Sequence, residues 1–237
     1  VLEAFGLSDP GCVRQNNEDT YLIDPGLGLY LLADGMGGAQ AGETASQMAV
    51  ESVANHFRTG GGRSEAALLT AFEDAHREVL AKAASAVEFT GMGTTLVGVL
   101  EIGNDELAIA SVGDSRVYRF NGADLEPMTE DQTWANEVGR RLGLDNDRLR
   151  THPLRHVLTM AIGIENPLRV NTRTVRMTPG TSILLSSDGL HGVVSKEKIV
   201  AALKKLGTLE AKCHLLIEAA HEAGAPDNVT VILLRKT

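Results

Sequence analysis

Four times in this chain an aspartate stands where an apolar segment begins or ends. Leu29-Tyr30-Leu31-Leu32-Ala33 runs into Asp34-Gly35, and Ile183-Leu184-Leu185-Ser186-Ser187 runs into Asp188-Gly189. A looser version leads from Ala108-Ile109-Ala110-Ser111-Val112 through Gly113 to Asp114-Ser115, and a mirror image sets Asp227-Asn228 before Val229-Thr230-Val231-Ile232. Aspartate is disfavoured in strands, and its charge beside a buried strand loses hydration unless something pairs with it. Taken singly, each reads as an Asx turn or a helix cap. Taken together, with basic residues scarce nearby, the carboxylates would repel one another and hold their protons unless cations neutralised them. Hard oxygen ligands of this kind suit Mg²⁺ or Mn²⁺, and the glycines after Asp34 and Asp188 leave room for a carbonyl or a water at the ion.

A second polar segment, Arg14-Gln15-Asn16-Asn17-Glu18-Asp19, supplies what phosphate chemistry would also need. Glu18 and Asp19 add carboxylates, and the Arg14 guanidinium is a planar fork matched to phosphate oxygens. The bland alternative is a polar turn with a surface ion pair. The glycine-rich piece Asp34-Gly35-Met36-Gly37-Gly38 has a rival reading as a nucleotide cradle opening a helix. Gln40 stands where a dinucleotide fingerprint wants glycine, and no Gly-Lys-Ser/Thr follows, so metal binding is preferred.

The elements that would position these residues are short strands at 3–7, 21–23 and 28–33, followed by two amphipathic helices. One helix carries Ala41, Ala45, Met48, Ala49, Val53 and Phe57 on a face, the other Leu68, Phe72, Ala75 and Val79, with Gly60-Gly61-Gly62 between. Strands at 94–102, 106–112 and 116–120 read as a meander, with Thr94 and Thr95 expected to serve packing. Residues 129–155 are polar and weakly helical. Strands at 168–175 and 181–187, helices at 195–206 and 208–222 and a strand at 229–234 complete the chain. Runs of strands with helix pairs between them favour an α+β fold, antiparallel sheets covered by helices, over alternating βαβ units.

The 237 residues, 43 % hydrophobic and 22 % charged, suit one globular domain spanning 1–237. A net charge of −9 without a Lys/Arg run argues against nucleic acid as a partner. No apolar stretch is long enough to span a bilayer within this segment, and no signal peptide is visible, so a cytoplasmic location is expected. Cys12 and Cys213, far apart, are read as reduced structural thiols.

The ordered set Arg14-x-x-Asn17-Glu18-Asp19, Asp34-Gly35-Met36-Gly37-Gly38, Gly93-Thr94-Thr95, Val112-Gly113-Asp114-Ser115-Arg116, Ser187-Asp188-Gly189 and Asp227-Asn228-Val229-Thr230 resembles the metal-dependent serine/threonine protein phosphatases of type 2C, the PPM family, in its bacterial form. The resemblance implies a four-layer α-β-β-α sandwich, two mainly antiparallel sheets flanked by helix pairs, with a flap at about 129–160. It implies a site for two Mn²⁺ or Mg²⁺ ions: Asp34 bridging them, Asp188 and Asp227 completing the first, the Gly35 carbonyl binding the second, and Glu18 and Asp19 acting there through water. Asp114, with Asp188, resembles the ligand of a third ion, and Arg14 would hold the substrate phosphate. Asp34 and Arg14 are thus the expected catalytic residues. The implied activity is hydrolysis of phosphoserine and phosphothreonine by a metal-activated water, without a phosphoenzyme.

Met36 departs from relatives that carry histidine after the first Asp-Gly. A thioether cannot donate a proton, so the general acid is unassigned, with a metal-bound water as the hypothesis; neither His191 nor His56 is put in its place. The flap, with Trp134, Arg140, Arg141, Arg148 and His152, is expected to shape substrate choice. Implied partners are phosphorylated proteins and a Ser/Thr kinase, with a monomer as the default state. A catalytically silent binding or regulatory module is the alternative reading, and a phosphatase of small metabolites shares the same metal chemistry.

Overall fold

The strand Leu29–Met36 (β3) is apolar at successive positions because it buries both faces. Leu29, Leu31 and Ala33 join one apolar cluster, while Tyr30 and Leu32 join another on the opposite side of the sheet. The computed structural model describes residues 2–103, 105–164 and 167–236. The first cluster is shared with the helices Ala39–Arg58 (α1) and Glu65–Ala83 (α2), through Ala45, Val53, Phe57, Leu68, Phe72 and Val79.

The second cluster lies between two sheets. One sheet has the order β2-β3-β5-β6-β9, comprising Asp19–Asp24 (β2), β3, Leu96–Gly103 (β5), Glu106–Val112 (β6) and Asn171–Arg176 (β9), with Gly93–Thr94 (β4) paired to the end of β3. The other has the order β1-β11-β10-β7-β8, comprising Leu2–Asp9 (β1), Val229–Lys236 (β11), Ser182–Ser186 (β10), Arg116–Phe120 (β7) and Leu125–Pro127 (β8). The strand pairs are antiparallel. Ile183, Leu185, Ile232 and Leu234 of the second sheet face Tyr30, Leu32, Val97 and Ile109 of the first. Outside the second sheet lie Asp188–His191 (α4), Lys196–Lys204 (α5) and Leu209–Glu222 (α6), burying Leu190, Ile199, Leu203, Cys213 and Leu216 against Leu184, Val231 and Leu233. The layers are therefore helix, sheet, sheet, helix, as expected. Ser64, Ser195 and Thr208 cap α2, α5 and α6, each accepting a backbone N–H in the first turn.

The expected meander of 94–120 is corrected. β5 and β6 pair, but β7 pairs with β10 and β8 in the other sheet. The Gly113-Asp114-Ser115 segment is a crossover between sheets rather than a hairpin turn. Gly113 turns the chain at φ +94°, and a Cβ there would meet Thr95 Cγ2 at 2.7 Å. The crossover carries Asp114 to the seam between the sheets. The expected strand at 94–102 is interrupted at Thr95, and β9 begins at Asn171 rather than 168. The excursion between β8 and β9 contains a π-helical turn at Ala135–Gly139 and a helix at Asn146–Thr151 (α3). Cys213 is buried as expected, whereas Cys12 is exposed and fills no core. Among the described residues no helix is long and apolar enough to cross a membrane.

Candidate functional site

Asp34 sits near the end of β3 directly opposite Asp19 of β2. Its backbone is clamped from the next strand. The Asp34 N–H donates to Thr95 Oγ1 (3.0 Å), the Thr95 N–H donates to the Asp34 carbonyl (2.9 Å), and Thr94 Oγ1 donates to that carbonyl (2.9 Å). Thr95 Oγ1 also shares a 2.7 Å hydrogen bond with Ser115 Oγ, which joins the Asp34 strand to the Asp114 crossover. Thr94 and Thr95 are buried, but their hydroxyls fix Asp34 rather than serving packing alone, which corrects the sequence reading.

Asp19 is braced from the opposite sheet. Its Oδ2 accepts from Thr230 Oγ1 (2.6 Å) and Ser187 Oγ (2.9 Å), while its Oδ1 is buried with no hydrogen-bond partner. Burial lifts the Asp19 carboxyl to about 7, opposed by the two hydroxyls and reinforced by Asp188 and Asp227. Asp34 is pushed well above the usual carboxylate range, chiefly by burial and then by Asp19, Asp188, Asp114 and Asp227. Asp188, the first residue of α4, is raised by burial and by Asp227. Asp114 is lifted to about 7 by burial, Asp188 and Asp131, against the pull of Arg116.

Glu18 and Gly35 are set by backbone contacts. The Glu18 N–H donates to Asn228 Oδ1 (2.9 Å), and the Gly35 N–H donates to the Glu18 carbonyl (3.2 Å). Gly42 of α1 passes so close that a Cβ on it would lie 1.9 Å from Glu18 Oε2, and a Cβ on Gly35 would lie 2.2 Å from the Gly42 carbonyl. Burial raises the Glu18 carboxyl, against Arg14. Arg14 is about half exposed, and its Nη2 donates to Asp227 Oδ2 at 2.8 Å. Asn228 ties the two segments together, its Nδ2 donating to the carbonyls of Pro10 (3.0 Å) and Asn16 (2.8 Å).

One cleft of about 380 Å³ is lined by Arg14, Glu18, Asp34, Gly35, Asp114, Asp188 and Asp227, with Asp19 buried behind Asp34. The expected site residues thus come together from five segments of the chain. Their side chains do not form a ready-made cage: among the described residues no three His, Cys, Asp or Glu converge tightly enough to grip one ion. Arg14 holds Asp227 to one side, and the side chain of Asp34 is hydrogen-bonded to that of Asp188. The donor set is nonetheless all hard oxygen, several members are buried with raised pKa, and the Asp19 Oδ1 is unpaired. The residues fit a divalent hard cation.

Several contributors escaped the sequence reading. Ser187, Thr230, Ser115 and Asn228 act through contacts between segments far apart in sequence, although all lie inside the motifs already singled out. His156 lines the same cleft as Met36 and had no signal beyond a solitary histidine in a polar stretch. Neither His191 nor His56 lines the cleft: His191, on the wall of the adjoining cavity with Asp114 and Asp188, shares a 2.9 Å hydrogen bond through Nδ1 with Ser186 Oγ and is held well below the usual imidazole range by burial and Arg116, and His56 pairs with Asp74.

Comparison with known proteins adds an independent line. Residues 13–220 match the family described as protein phosphatase 2C. The serine/threonine phosphatase stp of Listeria monocytogenes is 32 % identical over 242 residues, covering 97 % of this chain and 94 % of that protein. The solved S. agalactiae serine/threonine phosphatase superposes with a TM-score of 0.94 at 30 % identity over 100 % of both chains. The catalytic domain of the serine threonine protein phosphatase PstP, solved in complex with two manganese ions, gives a TM-score of 0.86 at 32 % identity over 99 % of this chain and 97 % of that one.

Proposed function

The chain belongs to the protein phosphatase 2C family, and from that premise we propose that it is a serine/threonine protein phosphatase acting with divalent cations on phosphorylated proteins. The observation that carries this reading is the cluster of buried, proton-retaining carboxylates at one end of the sheet seam, with a guanidinium beside it.

Asp34, Asp188 and Asp227 would hold one ion; Asp34, the Gly35 carbonyl and, through water, Glu18 and Asp19 would hold a second. Asp114 and Asp188 would serve a third. The bound PstP manganese ions support Mn²⁺ or Mg²⁺ as the choice. Such ions, when bound, lower the pKa of water and offset charge on phosphoryl oxygens.

The chain's own residues do the positioning. Thr94, Thr95 and Ser115 fix the Asp34 backbone so that its carboxylate is preorganised. Arg14, half exposed and paired only with Asp227, exchanges that partner for a phosphate, orients the phosphoryl group and stabilises charge developing on it. Met36 lines the cleft where it can exclude water but cannot protonate the leaving alkoxide. No side-chain nucleophile is needed, so the substrate forms no phosphoenzyme. The flap at about 129–160, within a single domain of 1–237, shapes access. The kinase that phosphorylates the same substrates is the natural opposing partner, and the free thiols Cys12 and Cys213 support a reducing, cytoplasmic setting.

The test is turnover of phosphoserine and phosphothreonine peptides with Mn²⁺ and after chelation. Metal-dependent release of phosphate, abolished by Asp188→Ala, is expected. Peptide binding without turnover would instead make the chain a silent module.

A further inference from the structure

The cleft does not end at the carboxylates. It shares Asp114, Asp188 and His156 with an adjoining cavity of about 650 Å³ beneath the excursion between β8 and β9. That cavity in turn shares Arg116 and Arg140 with a third, of about 880 Å³, which reaches Arg141, Arg169 and Lys196. The three share wall residues and make up a trough of adjoining cavities that leads away from the reacting centre.

Its cations fall into two groups. Arg116, Arg169 and Lys196 are each taken by a carboxylate, namely Asp131 (2.5 Å), Glu137 (2.8 Å) and Asp124 (2.8 Å). Arg140, Arg141 and Arg155 form no ion pair among the described residues, and Arg155, although partly buried, has only a 3.4 Å hydrogen bond to the His152 carbonyl. Residues 140–156 hold five arginines against two aspartates in a chain whose net charge is −9. The platform under them is anchored. Thr133 bridges to Leu158, the Trp134 N–H donates to the Val157 carbonyl (2.8 Å), and the Trp134 ring stacks on His152 at 4.0 Å.

Unpaired guanidiniums on a fixed wall, beside an open trough, are suited to a ligand with oxyanions. Arg140 and Arg155 line the adjoining cavity with Asp114 and Asp188, and Arg141 lies on the next one, so a polypeptide extending from the cleft would meet all three where a small phosphate ester would not span them. We propose that the trough binds an acidic stretch of the phosphorylated substrate, an oxyanion (carboxylate or second phosphate) carried near the scissile phosphoresidue, through Arg140, Arg141 and Arg155. The proposal rests on the phosphatase reading and names the class of protein that reading would favour.

The experiment compares kcat/KM for phosphothreonine peptides of one length, with Mn²⁺, whose flanks are neutral, rich in Asp and Glu, or carry a second phosphoserine. The acidic or doubly phosphorylated peptides are expected to exceed the neutral one by about tenfold, with the advantage shrinking as salt is added. The two acidic arms identify which oxyanion is read. In Arg140→Glu/Arg141→Glu the ratio should fall to one or below, and Arg155→Ala should lower it. Equal kcat/KM for all flanks in the wild type, or a ratio unmoved by these substitutions, overturns the proposal. If no peptide is turned over, the phosphatase reading fails. Fluorescence anisotropy of the same labelled peptides then decides the trough separately: tighter binding of acidic flanks, lost in the double variant, supports it, and indifference to charge overturns it.

Discussion

Asp19→Asn is expected to stabilise the metal-free protein at alkaline pH and to lose that advantage in acid. The Asp19 carboxyl rises from the ordinary 3.8 to about 7 because it is buried with one oxygen unpartnered and with Asp188 and Asp227 nearby. A group that holds its proton more tightly folded than unfolded weakens the fold when it ionises. The penalty is absent below the ordinary 3.8, builds with rising pH, and is complete above about 7. Its full size is about 4 kcal/mol, of which roughly half has accrued at pH 5.5. An asparagine oxygen can still accept from Ser187 and Thr230, whose support of the carboxylate is already contained in that shift, but its Nδ2 takes the place of the unpartnered Oδ1 and, buried without an acceptor, gives back about 2 kcal/mol at every pH. The net is about 2 kcal/mol of stabilisation at pH 8, or about 4–8 °C in Tm, and close to nothing at pH 5.5. Thermal melts of both proteins in chelator at the two pH values measure this. With Mn²⁺ the order should reverse, since ion binding stabilises the wild type more. A variant no more stable than wild type in chelator at pH 8, or a difference that ignores pH, would refute the reasoning.

Thr95→Val removes the acceptor for the Asp34 N–H and the partner of Ser115. It should cost about 1–3 kcal/mol in urea unfolding and lower kcat, and a change below about 0.5 kcal/mol would count against the clamp. Arg14→Ala should raise KM for phosphopeptides more than it lowers kcat, with stability changed by less than about 1 kcal/mol because its Asp227 pair is half exposed; an unchanged KM would remove it from phosphate binding. Gly42→Ala should suit the helix by about 1 kcal/mol but displace Glu18, whose Oε2 lies 1.9 Å from the new Cβ. A higher Mn²⁺ requirement for activity is expected, and an unshifted metal titration would contradict it.

The strand ends that carry Asp34 and Asp188 were legible because a two-faced buried strand is a continuous apolar run, and an aspartate closing such a run is conspicuous. The helix pairs were legible for the same reason of periodicity. The crossover at Gly113 was not: a glycine-aspartate step after one strand and before another looks like a hairpin, and only the facing layers determine which sheet takes Arg116–Phe120. The clamp on Asp34 was missed because Thr94 and Thr95 are β-branched residues in an apolar setting, where packing explains them equally well. The pairing of Asp19 with Ser187 and Thr230 joins residues more than 160 positions apart, which no local pattern encodes. Arg140 and Arg141 were legible as residues of a flap that shapes substrate choice, but His156 and Arg155 acquire meaning only once the excursion is seen folded against the cleft.

Whether these carboxylates gather to hold divalent ions is open to direct observation. Anomalous diffraction from crystals grown with Mn²⁺ measures it directly. At least two manganese peaks bounded by Asp34, Asp188, Asp227 and the Gly35 carbonyl are expected. Manganese bound elsewhere, with Asp34 and Asp188 satisfied by protein groups alone, would contradict that expectation.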